Sequence, residues 1–164
     1  MTETALQVSL PDEAATAAFA RSIAPHLRGG DLVVLSGPLG AGKTFFAREL
    51  CYALGLDESE PVTSPTFTLM HEYPTVPPVC HADLYRLRSD REVVELGLTS
   101  LRDDGHLLVV EWGAPFIAVL GGEAVELEFG VGPRCVIVRC ESVRAAQVLQ
   151  RLSAGSNQSG GQGE

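Results

Sequence analysis

Two short apolar runs are the strongest pattern along the chain. Residues 32–35 read Leu-Val-Val-Leu and residues 107–110 read Leu-Leu-Val-Val, and polar residues bound each run. Near-continuous apolar runs of this length are typical of parallel strands that are covered on both faces, since neither side of such a strand contacts water. We therefore predict buried strands at 31–36 and 106–111, the first of them in the middle of a sheet.

Weaker patterns place helices and further strands around these two runs. Apolar residues recur every four positions at Ala15, Phe19 and Ile23, after the acidic turn at 11–13, which predicts a helix. Similar signals predict helices at 43–54, 91–96 and 142–152, strands at 4–10 and 79–84, and a loop at 61–78 that leads into an extended segment. Alternation at 125–129, a Gly-Val-Gly-Pro turn and the run 135–140 predict a C-terminal antiparallel hairpin.

Length and composition fit one domain. The chain has 164 residues, of which 45% are hydrophobic and 20% charged, as in a globular protein and unlike a disordered or collagen-like one. We place the domain at 1–153 and expect the segment 154–164, rich in Gly, Ser and Gln, to be disordered. No apolar run approaches the roughly 18 residues of a membrane span, and residues 1–4 lack the features of a secretory signal. A cytoplasmic location without membrane contact is the expectation.

Charge and cysteine content exclude other classes of function. The net charge of −9 opposes sequence-independent binding of nucleic acid, which needs clustered Lys and Arg. The four cysteines, Cys51, Cys80, Cys135 and Cys140, form no C-x-x-C pair and lie in apolar segments. We therefore expect buried, reduced thiols and no zinc site.

The segment after the first buried run carries the clearest chemistry. Residues 37–44 match G-x-x-x-x-G-K-[ST], with an apolar strand before and a helical pattern after, as a phosphate-binding loop requires. Its glycines let backbone N–H groups approach phosphate at the start of a helix. Lys43 is the chain's only lysine beside eleven arginines, which favours a phosphate contact over a solvated surface charge. The predicted nucleotide-binding residues are Gly37, Pro38, Leu39, Gly40, Ala41, Gly42, Lys43 and Thr44.

Two carboxylates follow predicted strands, where a phosphate-binding loop needs groups for Mg²⁺ and for the attacking water. Asp83 ends the run at 79–82, and Glu111 ends the stronger run at 107–110. Each is also explained by a structural role at a strand end, and Arg86 is a candidate ion-pair partner of Asp83. Trp112, the only tryptophan, fits either the core or the nucleotide site. His71 and His81 have no Ser or Cys partner at a suggestive spacing, so we assign them structural roles.

Taken together, these motifs resemble the TsaE family. The P-loop, Ser64-Pro65-Thr66-Phe67, Asp83-Leu84-Tyr85-Arg86-Leu87 and Glu111-Trp112 occur in that family's order, over about residues 5–150. The resemblance implies a P-loop α/β fold with a mixed central sheet flanked by helices. It also implies ATP hydrolysis in support of threonylcarbamoyladenosine synthesis on tRNA, beside the subunits TsaD and TsaB, with tRNA involved only indirectly.

Residue roles follow from the same resemblance. It places Thr44 and Glu111 on Mg²⁺, Asp83 beside the γ-phosphate as a water-orienting group, and Thr66 in a switch-like loop that contributes to catalysis with Lys43. On shorter matches it places Glu13 and Arg134 at the nucleotide. Trp112, which directly follows Glu111, is counted with them as a nucleotide-binding candidate. Phe45 departs from the family pattern, which often has a second Thr there, but the Mg²⁺ ligand remains.

Two other classes of function compete with this interpretation. A small-molecule P-loop kinase usually has a lid with arginines, and residues 113–122 contain neither Arg nor Lys. A nucleotide-binding regulator without hydrolysis would not need the two carboxylates. Phosphate release from ATP, with and without partner proteins and small acceptors, separates the three.

Overall fold

The computed structural model describes residues 4–156, and its centre is one sheet of seven strands. The strands are Thr4–Ser9 (β1), Leu32–Ser36 (β2), Met70–Tyr73 (β3), Val79–Asp83 (β4), Leu107–Glu111 (β5), Ala124–Val131 (β6) and Arg134–Cys140 (β7). Their order across the sheet is β1-β7-β6-β2-β5-β4-β3, so the first apolar run forms the middle strand. The β6–β7, β1–β7 and β3–β4 pairs are antiparallel and the other pairs are parallel. This architecture confirms the predicted α/β fold with a mixed sheet and a C-terminal hairpin.

Five α-helices flank the sheet among the described residues: Glu13–Ile23 (α1), Lys43–Ala53 (α2), Asp90–Glu95 (α3), Leu98–Asp103 (α4) and Val143–Ser156 (α5). The carboxylate of Asp12 begins α1 by accepting a hydrogen bond of 2.8 Å from the Ala15 N–H. Helix α4 was not predicted, because its six residues follow α3 after only two residues and its pattern merges with that of α3. None of the helices within 4–156 is long and apolar enough to cross a membrane.

Alternation along the central strand divides the core into two layers. Val33 and Leu35 of β2 pack into the core on one face of the sheet, and Leu32 and Val34 pack into the core on the other. All four side chains are fully buried, as expected for a strand whose successive residues point to opposite faces. Helices α1, α2 and α5 cover the first face, and α3 and α4 cover the second.

The end of the chain differs from the prediction. Helix α5 was expected to stop at Leu152, and the segment from 154 onward was expected to be disordered, yet α5 continues through Ser156. The buried face of α5 packs against the sheet through Ala145, Val148, Leu149 and Leu152. The last turn therefore extends a helix whose preceding turns are already held in place. The remainder of the predicted tail, 157–164, lies outside the described residues.

The cysteines are free thiols, and three of the four are buried. Burial raises the pKa of Cys51 and of Cys80 to about 12, which keeps both thiols protonated at neutral pH. Cys135, on β7, is partly exposed, contrary to the expectation that all four are buried, because its side of this hairpin strand is not fully covered.

The parallel strands β2, β5 and β4 bring their carboxyl ends to one edge of the sheet. Asp83, the last residue of β4, lies opposite Glu111, the last residue of β5, and Glu111 in turn lies opposite Leu35 of β2. The loop 37–42 follows β2 directly and leads into α2. Residues separated by up to 74 positions in sequence therefore meet at this edge, since Asp83, Glu111 and the loop share one side of the sheet.

Candidate nucleotide-binding site

The loop between β2 and α2 has a backbone that only glycine accommodates at its first position. Gly37 has a φ of 130°, and a Cβ atom there would lie 2.4 Å from the carbonyl oxygen of Phe129. Gly40 and Gly42 also have left-handed φ values, of 77° and 102°. Because α2 begins at Lys43, the unpaired N–H groups of its first turn face the loop's concave side, where an anion is favoured.

Lys43 is folded against this loop. Its ammonium donates hydrogen bonds to the carbonyl oxygens of Gly37 and Pro38, the latter at 3.1 Å. The Nζ atom also lies 4.4 Å from the centre of the Trp112 ring, in a cation–π contact. Burial lowers the pKa of Lys43, while Glu111 and Asp83 act in the opposite direction. The ammonium is thus a positive charge that is partly removed from water and is held only by neutral partners and two nearby carboxylates.

Glu111 joins the loop to the neighbouring strands. The Thr44 hydroxyl donates to the Glu111 carboxylate, at 3.1 Å from Oε1 and 3.4 Å from Oε2. Oε2 also lies 2.7 Å from Nε2 of His81, a buried side chain on β4. Glu111 itself is 3% exposed, so its oxygens have these protein groups and little water as hydrogen-bond partners.

Asp83 is held by the loop that follows α2 rather than by an arginine. Its Oδ2 atom accepts hydrogen bonds from the hydroxyls of Ser64 at 3.1 Å and Thr66 at 2.9 Å, and its Oδ1 accepts from the Tyr85 N–H at 2.9 Å. The candidate ion pair with Arg86 is absent among the described contacts. The Arg86 guanidinium instead stacks on Phe67, 4.4 Å from the ring centre, because that exposed ring offers a planar surface to a planar cation.

Trp112 forms a wall of the site and not part of the core. Its ring contacts both the Lys43 ammonium and the Tyr85 ring, whose centre is 5.0 Å away. Trp112 has a φ of 60°, which costs a non-glycine residue on the order of 1–3 kcal/mol and is common at functional sites. The turn after Glu111 therefore directs the indole to the edge of the sheet. A core position for Trp112, the alternative that the sequence left open, would require the indole to point inward.

These groups surround a cavity of about 550 Å³. Of the predicted site residues, it is lined by Glu13, Leu39, Gly40, Ala41, Gly42, Lys43, Thr44, Thr66, Asp83, Glu111, Trp112 and Arg134. Glu13 and Arg134 reach the same rim because the Leu10 N–H donates to the Arg134 carbonyl at 3.0 Å, which ties the start of α1 to β7. Gly37 and Pro38 do not line the cavity, since their carbonyls are turned toward Lys43.

Sequence reasoning missed several residues of this site. Thr16 and Phe45 line the cavity without having been predicted. Thr16 lies one helical turn after Glu13, so the helical period alone would have placed it there. His81 was assigned a structural role, and no local motif indicates its contact with Glu111, which arises only from the pairing of β4 with β5.

Comparison with known proteins identifies the family. A family model described as threonylcarbamoyl adenosine biosynthesis protein TsaE matches residues 10–133. The chain belongs to the TsaE family. A TsaE protein of Rickettsia bellii is 43% identical over 108 residues, which cover 65% of this chain and 73% of that protein. A TsaE protein of Mycobacterium leprae is 37% identical over 140 residues, covering 80% of this chain and 82% of its own length.

The fold agrees with that assignment. The crystal structure of YdiB from Bacillus subtilis matches with a TM-score of 0.76 at 25% sequence identity, over 96% of this chain and 99% of that one. TsaE proteins are P-loop proteins named for threonylcarbamoyladenosine biosynthesis on tRNA, and nucleotide binding is consistent with the loop at 37–44. The cavity described above thus lies where a P-loop protein holds its nucleotide.

The residues present fit a magnesium ion. Mg²⁺ takes one or two protein oxygens together with waters and substrate phosphates, and two adjacent ligands at its bond length lie about 2.9 Å apart. Thr44 Oγ1 and Glu111 Oε1 are 3.1 Å apart and face the same cavity. No group of three or more His, Cys, Asp and Glu side chains suited to a metal occurs within 4–156.

Proposed function

We propose that this protein is a Mg²⁺-dependent ATPase required for threonylcarbamoyladenosine modification of tRNA, and that it acts on a complex of TsaD and TsaB and not on tRNA itself. The observation that carries the proposal is the meeting of three groups around one cavity: the Lys43 ammonium, the Thr44–Glu111 pair and the Asp83 carboxylate. Each corresponds to a task in phosphoryl transfer to water.

The P-loop forms the part of the site that binds the phosphates. The N–H groups at the start of α2 and the Lys43 ammonium bind the β- and γ-phosphates, since a compact cation that is partly desolvated binds phosphate more strongly than an exposed one. Binding requires that Lys43 exchange its contacts with Gly37 and Pro38 for phosphate oxygens. Trp112, Glu13 and Arg134 line the remainder of the cavity and contact the nucleoside part.

Thr44 and Glu111 hold the ion. Mg²⁺ bound there would supply neutralisation of charge on the phosphate oxygens. The Thr44 hydroxyl, which donates to Glu111 in this structure, and the Glu111 carboxylate would be the groups that hold the ion, and Glu111 would supply the compensating negative charge.

Asp83 orients the attacking water. In this structure its Oδ2 is occupied by the Ser64 and Thr66 hydroxyls, so one of these contacts must open before Oδ2 accepts a hydrogen bond from water. Hydrolysis is therefore slow in the isolated protein, and a partner that repositions the 64–66 loop accelerates it. That is the physical basis for assigning TsaD and TsaB the role of completing the site.

The tRNA is modified by another subunit. A net charge of −9 disfavours phosphate contacts, and no second cofactor motif or nucleophile–base pair accompanies the P-loop site in the sequence. Carbamoyl transfer therefore requires chemistry that the partner proteins supply.

The test is a series of phosphate-release measurements from ATP in Mg²⁺ or EDTA, with the protein alone, with TsaB and TsaD, with tRNA, and with all of them. We expect slow Mg²⁺-dependent release alone and faster release with the partner pair, whereas tRNA alone has no effect. Filter binding at moderate salt checks that the chain does not bind tRNA tightly. Rates unaffected by the partners, tight tRNA binding by this chain, or phosphate transfer to a small acceptor would contradict the proposal, and the last would support a kinase.

A further inference from the structure

Among the described residues, His81 is the one buried histidine that contacts a proposed metal ligand. It lies in the middle of β4, and its side chain is fully buried beside the end of β5. Its Nε2 atom is 2.7 Å from Oε2 of Glu111, whose own side chain is 4% exposed. Breaking a short hydrogen bond between two buried groups costs free energy, because water cannot replace the lost partner. The contact therefore constrains the positions of both side chains.

The chemistry of the pair fixes which nitrogen carries the proton. An ionised carboxylate only accepts hydrogen bonds, so the Nε2–H of His81 donates to Glu111. The other ring nitrogen, Nδ1, is buried and has no hydrogen-bond partner among the described residues. A proton on Nδ1 would be a buried donor without an acceptor, so the hydrogen-bond geometry favours a proton on Nε2.

This contact gives the two oxygens of Glu111 different tasks. Oε2 is anchored on β4 through His81, and Oε1 is the oxygen nearer to the Thr44 hydroxyl, at 3.1 Å against 3.4 Å for Oε2. Without the anchor, the carboxylate could rotate about its last side-chain bond, and neither oxygen would have a fixed position at the cavity. Side chains behind a metal ligand commonly act in this way.

We propose that His81 is a positioning residue that anchors Oε2 of Glu111 and directs Oε1 to the Mg²⁺ position beside Thr44. The inference rests on the proposed function, since it assigns a task within that same site. His81 touches neither nucleotide nor ion. A residue that serves only core packing would affect nucleotide binding with and without Mg²⁺ alike, whereas a positioning residue affects only the Mg²⁺-dependent part.

Calorimetric titration of a non-hydrolysable ATP analogue separates these possibilities. In H81L, which keeps the volume but removes the donor, we expect near wild-type affinity in EDTA and about 10- to 100-fold weaker affinity for the analogue in Mg²⁺. In H81Q, whose amide N–H reaches toward the same oxygen, the Mg²⁺-dependent part of the affinity should largely return. H106L is the matched control, because His106 pairs with Glu72, away from the cavity.

Three results would overturn the inference: equal losses with Mg²⁺ and with EDTA, no loss in H81L, or an H81Q protein as weak as H81L. If wild-type protein itself gained no affinity from Mg²⁺, the proposed function would fail and not only the role of His81.

Should the variants not fold, the ¹⁵N chemical shifts of the histidine rings in the wild-type protein still test the inference. We expect a protonated Nε2 and an unprotonated Nδ1 at His81, and the reverse tautomer would contradict the proposal.

Discussion

The two sides of the nucleotide cavity are built in opposite ways. On one side, Lys43 at the start of α2 and Glu111 at the end of β5 are almost fully buried. On the other side, the loop of Ser64, Pro65, Thr66 and Phe67 has no regular structure, its Phe67 is 82% exposed, and hydroxyls of the loop reach the site through Asp83. We call the first the strand-end side and the second the loop side.

This difference separates two tasks. A carboxylate such as Glu111, fixed at the end of a strand in a packed core, is suited to binding, because it needs little reordering when the ligand arrives. An exposed loop held by a few hydrogen bonds opens at low cost, and such loops are where gating of catalysis resides. The strand-end side therefore sets nucleotide and Mg²⁺ affinity, and the loop side sets the rate of hydrolysis.

The largest expected effect comes from removing the Lys43 ammonium of the strand-end side. In Lys43→Ala, ATP hydrolysis should fall to background, because a charge-assisted contact to two phosphates is lost while the fold keeps its core. Phosphate release measures the rate, and a circular dichroism melt checks the fold. Arg48→Ala is the control, since it removes a cation from the same helix outside the cavity. Unchanged turnover in a folded Lys43→Ala protein would end the P-loop interpretation.

The two carboxylates should separate by assay. Glu111→Gln should weaken Mg²⁺-dependent nucleotide binding by about 10- to 100-fold, as loss of an ion-holding charge does. Asp83→Asn should keep that affinity and slow hydrolysis by roughly 10²- to 10⁴-fold, since it loses a group that orients water. Calorimetry and single-turnover hydrolysis measure the two effects. If Asp83→Asn lost affinity and Glu111→Gln did not, the assignment would be reversed.

Features of the fold and the site that depend on neighbouring residues were predicted from the sequence, whereas features that depend on residues far apart in the chain were not. The P-loop and the buried strands are local patterns, and they were predicted with nearly the observed bounds. The strand-end carboxylates were found because parallel strands share an edge, which is a general rule of such sheets. The link from His81 to Glu111 depends instead on register between β4 and β5, and a single sequence does not encode register in any short motif.

The ends of elements were less predictable than their existence. Helix α4 is short and follows α3 after only two residues, so its pattern merges with that of its neighbour. The length of α5 depends on Leu149 and Leu152 being buried against the sheet, a tertiary contact that overrides the local Gly and Ser content. The paired contacts of Asp83 with Ser64 and Thr66 likewise needed the structure, because the loop bends back over a distance of 17 residues or more.

Changes on the loop side should affect turnover without affecting affinity. Thr66→Val keeps the shape of the side chain and removes one of the two hydrogen bonds that occupy Oδ2 of Asp83, a bond to a charged group worth about 1.5–3 kcal/mol, so hydrolysis by the isolated protein should rise by roughly 10- to 100-fold. Thr68→Val is the matched control, because its hydroxyl contacts His71 and not Asp83. A fall in hydrolysis in Thr66→Val, equal changes in the two variants, or a loss of nucleotide affinity in Thr66→Val would contradict the distinction between the two sides.

The smallest expected effect is a change in the fluorescence of Trp112. Trp112 is the only indole and contacts Lys43, so nucleotide with Mg²⁺ should change its emission when the ammonium moves from the ring to phosphate. A fluorescence titration measures this, with Trp112→Phe as the blank. An unchanged spectrum at nucleotide saturation, established by calorimetry, would show that Lys43 keeps its contact with the ring.

The central claim is that one cavity holds ATP and Mg²⁺ between the P-loop and Glu111, and a crystal structure with a non-hydrolysable ATP analogue and Mg²⁺ tests it most directly. The account predicts phosphates along the start of α2 beside Lys43, an ion bound by Thr44 and Glu111, and His81 still donating to the second oxygen of Glu111. An analogue bound outside this cavity, or an ion held by Asp83 with Glu111 turned away, would contradict it.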